Sequence, residues 1–175
     1  MKNEQAFRRE LVSQLPRLRR FALALAGSRD AAEDLLQSAV ERALRKWESY
    51  EEGKRLDSWM FKIMQNLWFD MRRSVSAGPI YTGEVLDVAG PDGRDVPEAR
   101  DELRLVREAF AELPEDQRAV LALVVLEGFS YAEAAAALGA PIGTVMSRLS
   151  RARASLSVRA VGHGMIAPIP NRKEK

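Results

Sequence analysis

Residues 130–156, SYAEAAAALGAPIGTVMSRLSRARASL, decide how this chain is read. They predict two helices joined by a tight turn. Ser130 and Glu133 stand in the S-x-x-E spacing of a capping box, in which each side chain satisfies a backbone N–H left open at a helix start. An alanine-rich helix follows to Leu138. Gly139 suits the left-handed position that ends a helix without a Cβ clash. Pro141 then opens the next helix, where its missing N–H costs nothing.

The second helix, from about Gly143, has two faces. Val145, Leu149, Ala152 and Leu156 recur at helical spacing and are expected to face the core. Half a turn away come Thr144, Ser147 and Arg151, flanked by Arg148 and Ala154. From Ile142 to Arg159 the chain carries four arginines and no acid. A short polar, basic face held by a tight turn against another helix is the geometry of a helix-turn-helix reader in a DNA major groove. The plain alternative is a helical hairpin with solvated arginines. Caps, turn, apolar face and charge all agree on the reader.

Outside this stretch, composition sets the bounds. A chain of 175 residues holds one domain or two small ones. With 46% hydrophobic and 30% charged residues, it is composed like an ordinary globular protein. The net charge is only +2, so a nucleic-acid surface must be a local patch. No apolar run approaches the ~20 residues of a membrane span. The N-terminal MKNEQAFRRELV is too polar for a signal peptide. The absence of cysteine excludes disulfides and thiolate chemistry and fits the expected cytoplasmic location.

Towards the N-terminus, Phe7, Leu11, Leu15, Leu18, Phe21 and Leu25 predict a helix over residues 4–26, interrupted or kinked at Pro16 and ended by Gly27 and Ser28. Asp30 and Glu33 predict the capping box of a second helix, running through Leu35, Leu36, Val40, Ala43, Leu44 and Trp47. Its other face carries Asp34, Gln37, Glu41 and Arg45. After the loop EEGKR, Asp57 is the expected N-cap of a third helix to about Ser74. That helix has more apolar residues than one stripe needs, Trp59, Phe61, Trp68 and Phe69 among them, interspersed with Lys62, Gln65, Asn66, Asp70, Arg72 and Arg73. Core packing is the expected fate of Trp68 and Phe69, yet aromatics among polar and basic residues also suit unpaired bases.

Residues 75–97 lack periodicity. Their four glycines, three prolines and several acids predict a flexible linker that keeps off nucleic acid. Beyond it, Leu103, Val106, Phe110 and Leu113 predict a helix over 98–113. After Pro114 a very apolar helix over 115–127, expected to be buried, is closed by Gly128. The expected architecture is therefore all-α: an N-terminal helical domain over 1–76, a linker over 77–97, a helix-turn-helix domain over 98–160 and a disordered tail over 161–175. No metal site or cofactor is expected. His163 stands alone in the tail, no nucleophile sits in a strand-turn-helix elbow, and no glycine-rich loop follows a strand. Nothing proposes a reaction, so the chain is not expected to be an enzyme or to take a small-molecule substrate.

Leu113-Pro114, Gln117-Arg118, Glu127-Gly128, Ser130-Tyr131, Glu133, Gly143-Thr144-Val145, Ser147-Arg148-Leu149 and Arg151-Ala152-Arg153 resemble the second domain of the extracytoplasmic-function (ECF) sigma factors of bacterial RNA polymerase. Ala32, Asp34-Leu35, Gln37, Trp59, Ile63, Asn66, Asp70 and Arg72-Arg73 resemble that group's first domain. The chain departs from the family at Ala134-Ala135, where an isoleucine-alanine pair is usual, and at Met146, where lysine is frequent.

The resemblance implies a promoter-specificity subunit that binds core RNA polymerase and promoter DNA and is commonly held by an anti-sigma factor. It implies that Asp34, Gln37, Glu41 and Arg45 meet the polymerase clamp helices. Asn66, Asp70, Arg72 and Arg73, with the loop 74–78, would take the melted minus-ten element. Thr144, Ser147 and Arg151 would read the minus-thirty-five duplex, with Arg148 and Arg153 on phosphates. Two rival readings are a stand-alone helix-turn-helix regulator, which would need a dimer interface, and a sigma-like decoy that binds an anti-sigma factor and no DNA.

Overall fold

The computed structural model describes residues 3–51, 53–75, 106 and 108–162, the side chains of Ser74, Val75 and 158–162 excepted. The linker 77–97, the first part of the 98–113 helix with Leu103, most of the loop 74–78, His163 and most of the tail lie outside the described residues. Among the described residues every regular element is helical.

Helix α1, Glu4–Ala26, is capped by Asn3, whose side chain accepts from the Gln5 and Ala6 N–H groups. Pro16 lies inside it, and the helix runs through without a break. Gly27, at φ 74°, ends α1 in the left-handed conformation that only glycine takes freely. Ser28, not Asp30, caps α2, Arg29–Arg45, because its hydroxyl accepts from Ala31 N–H at 3.4 Å. Only Gly27 and Ser28 separate α1 from α2. Trp47 falls in a short 3-10 turn, Trp47–Ser49, after α2 has ended.

Helix α3, Leu56–Val75, also starts earlier than its sequence suggests. Asp57 sits in its first turn, 5% exposed, and binds arginines instead of capping from outside. The surplus aromatics of α3 are largely core. Phe61 packs on Phe21 at 4.6 Å between ring centroids, and Trp59 meets Phe7 and Tyr50 at 6.1 and 5.6 Å. Such pairs each add about 0.5–1.5 kcal/mol beyond their buried area. Trp68 is buried but Phe69 is 39% exposed, which corrects the expectation that both are core.

In the C-terminal half, residues 108–111 are helical and Leu113 is buried, while Val106 is exposed. Helix α4, Glu115–Leu121, passes into a π-helical turn, Ala122–Leu126. The apolar run is only partly buried: Val120 to Leu123 are enclosed, whereas Val125 and Leu126 are exposed. The eight successive apolar residues Ala119 to Leu126 encircle a helix, and the core covers one side. The wider π-turn shifts the register, so that Glu127 N–H bonds back to Ala122 O at 3.0 Å and Phe129 becomes buried. Helices α5, Tyr131–Leu138, and α6, Ile142–Gly162, complete the described residues. The expected tail therefore begins with two helical residues. No helix among the described residues is long and apolar enough to cross a membrane.

The two halves pack together. α1 meets α4 and the π-turn, α3 meets α5, and one continuous buried cluster runs from Phe7 to Ala152. Phe129 stacks edge-on against Phe61 at 5.5 Å, with the Arg55 guanidinium 4.2 Å from its ring centroid.

Candidate nucleic-acid and polymerase interfaces

The helix-turn-helix is built as its residues dictate. Ser130 Oγ accepts from Glu133 N–H at 3.2 Å, and Glu133 Oε2 accepts from Ser130 N–H at 2.8 Å. Gly139 takes φ 60°, and Pro141 O receives the first turn of α6 from Thr144 and Val145. Val145, Leu149 and Ala152 are buried, while Leu156 is half-buried. This fixes the outward face of α6. Ser147 and Arg151 are exposed there and Thr144 is half-buried at its edge. Ser147 donates to Thr144 O at 3.0 Å, and Arg151 Nε donates to Ser147 O at 3.3 Å, so the guanidinium lies along the helix.

The other two candidate arginines differ from Arg151. Arg148 pairs with Asp116 on α4 at 2.8 Å, on the flank of α6 rather than its outward face. Arg153 is half-buried. Ala154, expected to flank this face, is exposed on it, and so are Gly143 and Ser150, which the sequence did not offer as groove contacts. Their 100° steps from the buried stripe were the available signal.

On α3, Asn66, Asp70 and Arg73 are exposed. Arg72 reaches across to Glu115 on α4 at 2.9 Å, so a carboxylate of the other half occupies it. Phe69 is exposed three residues from Asn66 and four from Arg73, on the flank of the same face. On α2, Asp34, Gln37, Glu41 and Arg45 are all exposed, and Gln37 donates to Glu41 at 3.1 Å. The candidates thus form three separate surfaces on α2, α3 and α6.

What the sequence did not disclose is the seam between the halves. Arg17 on α1 binds both Asp57 and Glu127 at 2.6 Å, and Arg20 adds a second contact to Glu127 at 3.0 Å. Arg55 joins Asp57 to Glu133, tying the capping box of α5 to the start of α3. Burial alone would raise the Asp57 carboxyl. Hydrogen bonds from Arg55 and Ser58 N–H, with the charges of Arg55 and Arg17, outweigh it and hold Asp57 below its ordinary value. Glu133 is also held low, chiefly by the N–H and hydroxyl of Ser130. Arg118 is buried and donates to four carbonyls: Ala24 at 2.8 Å, Leu25 at 2.7 Å, Ala111 at 3.0 Å and Leu113 at 2.7 Å. The sequence marked Gln117-Arg118 as part of a pattern but gave it no partner, because backbone carbonyls far along the chain leave no sequence signal.

Comparison with known proteins matches this architecture. Residues 103–156 match the family of sigma-70, region 4, and residues 11–65 match the Sigma2 domain of PhyR. The ECF RNA polymerase sigma factor EcfG of Rhodopseudomonas palustris is 37% identical over 158 residues, which cover 87% of this chain and 83% of that protein. The ECF sigma factor SigM of Mycobacterium tuberculosis is 35% identical over 161 residues, covering 91% and 77%. The solved structure of the sigma factor RpoE of Bartonella quintana, in complex with the anti-sigma factor NepR, superposes with a TM-score of 0.75 at 34% identity, covering 90% of this chain and 98% of that one. CnrH, solved with the cytosolic domain of CnrY, shares the fold at a TM-score of 0.67 and 24% identity. With a region-4 reader in its C-terminal half, a sigma2 body in its N-terminal half and relatives matched over most of their length, the chain belongs to the ECF sigma factors of RNA polymerase.

Proposed function

We propose that this sigma factor contacts core polymerase through Asp34, Gln37, Glu41 and Arg45, the melted minus-ten strand through Asn66, Asp70, Arg72 and Arg73, and the minus-thirty-five duplex through α6, working in the cytoplasm. The observation that carries the reading is the outward face of α6, where Ser147 and Arg151 stand exposed on a rigidly capped helix-turn-helix. Exposure of the polar face of α2 and of Asn66 supports the other two surfaces. Arg148 belongs with phosphate contacts if it leaves Asp116; on the flank it is badly aimed at a base edge.

The packed halves suit an inactive state. The minus-ten and minus-thirty-five elements lie about 25 base pairs apart, roughly 85 Å at 3.4 Å per step. A compact body of this size has a radius of gyration of about 15 Å. Reading both elements therefore requires the seam to part, which frees Arg72 from Glu115. An anti-sigma factor that binds across both halves would hold the seam shut and cover the polymerase and DNA faces together.

In vitro transcription with core polymerase and a randomised promoter library tests the function. Specific initiation is expected from the wild type. Arg151→Ala is expected to weaken promoter binding by about 1–3 kcal/mol if Arg151 reads a base. Equal loss on all sequences with a smaller salt slope would assign it to phosphate. No specific initiation would leave the decoy or the stand-alone regulator.

A further inference from the structure

Helix α6 carries two large apolar side chains that the fold leaves uncovered. Ile142 is 46% exposed and Met146 50% exposed, one turn apart at the N-terminal end of the helix. Ile142 continues the stripe of Val145 and Leu149 past the point where the core covers it, since those two are buried at 0% and 2%, and Met146 lies one step further round towards the outward face. They flank the face bearing Gly143, Ser147, Ser150 and Arg151, on the side opposite Thr144 and Arg148. Arg148 leans on α4 through Asp116, on the flank away from Ile142 and Met146, whose own flank also carries the half-buried Arg153. Apart from its chain neighbours and the helix's own backbone, no atom lies within 4 Å of where a Cβ on Gly143 would stand, so the surface there is open.

We infer that Ile142 and Met146 form an apolar edge of the reader that recognises thymine C5-methyl groups in the minus-thirty-five element. The first turns of a recognition helix are the part that enters the major groove. In that groove the thymine methyl is the one apolar feature of the base-pair edges, and apolar side chains are its natural partners. The occupant is duplex DNA because the helix around the two residues has four arginines and no acid between Ile142 and Arg159, a charge pattern that complements phosphate. An unbranched methionine adapts to the groove floor at small cost. Ile142 and Met146 thus add sequence preference, whereas a lysine at Met146 would add phosphate attraction without it.

This inference rests on the sigma reading, and its test separates the two. The full-length protein is assembled with core polymerase on a promoter selected from the library. Each thymine of the minus-thirty-five element, on both strands, is replaced singly by uracil, which removes the methyl and leaves every hydrogen-bonding group in place. Initiation from the wild type is expected to fall about fourfold at one or two positions, the worth of one buried methyl-sized group. In Met146→Ala or Ile142→Ala that penalty disappears at the corresponding position. Both residues are exposed, so neither change touches the core. Met146→Lys is expected to lose the uracil penalty and to steepen the salt dependence by about one phosphate contact. A wild type indifferent to uracil everywhere overturns the inference, as does a penalty that survives undiminished in both alanine variants. If the wild type initiates specifically at no promoter, the sigma reading itself falls and takes this inference with it.

Discussion

Arg118 reaches from α4 into the C-terminal end of α1, where its Nη2 donates to the carbonyl of Leu25 at 2.7 Å. The last carbonyls of a helix have no partner within it and carry its negative pole, so a buried guanidinium there meets two needs at once. Arg118→Met keeps the apolar stem and removes the donors. Stability to urea is expected to fall by about 2–4 kcal/mol, because buried carbonyls lose their partner. A loss under 1 kcal/mol would mean that water replaces the guanidinium freely.

Glu127 holds the seam from the other side. Its side chain is 2% exposed and faces both Arg17 and Arg20. Glu127→Gln leaves two cations around a neutral amide and is expected to cost about 1–3 kcal/mol, discounted because the arginines are partly solvated. The halves should then separate in part, seen as a larger radius of gyration in small-angle scattering. An unchanged scattering profile at neutral pH and moderate salt would show that apolar packing alone holds them.

Acid should loosen the same seam. Asp57 and Glu133 have folded-state pKa values below their ordinary 3.8 and 4.5. Their stabilisation is complete above about pH 4.5 and is lost as pH falls through the lower folded values. The wild type is expected to lose urea resistance as pH falls below about 4.5. In Asp57→Asn combined with Glu133→Gln, stability at pH 7 should be lower and the acid limb flatter. Parallel acid limbs in the two proteins would place the acid sensitivity elsewhere.

Phe69 and Trp68 are neighbours with opposite surroundings, at 39% and 6% exposure. Phe69→Ala is expected to leave stability within about 0.5 kcal/mol and to weaken capture of the melted strand by about 1–3 kcal/mol, the worth of one stacked base. Trp68→Ala is expected to cost about 3–5 kcal/mol of stability. Thermal melts and binding of fluorescent single-stranded promoter DNA to the holoenzyme distinguish them. If Phe69→Ala binds the strand normally, its exposure serves no base.

The sequence by itself determined what local chemistry determines. The capping box of Ser130 and Glu133, the left-handed Gly139, the buried stripe of α6 and the exposed face with Ser147 and Arg151 all depend on residues within a turn or two of each other. The polar face of α2 was legible for the same reason. Tertiary structure alone decided which continuous apolar residues are covered: Val125 and Leu126 are no less hydrophobic than Leu123, and only the neighbouring α1 and the π-turn separate them. Above all it decided the seam. Arg17 with Glu127, Arg55 with Glu133, Arg72 with Glu115 and Arg118 with the end of α1 are pairs far apart in the chain. A charge or a carbonyl finds such a partner only once whole helices have packed, and no periodicity records that choice.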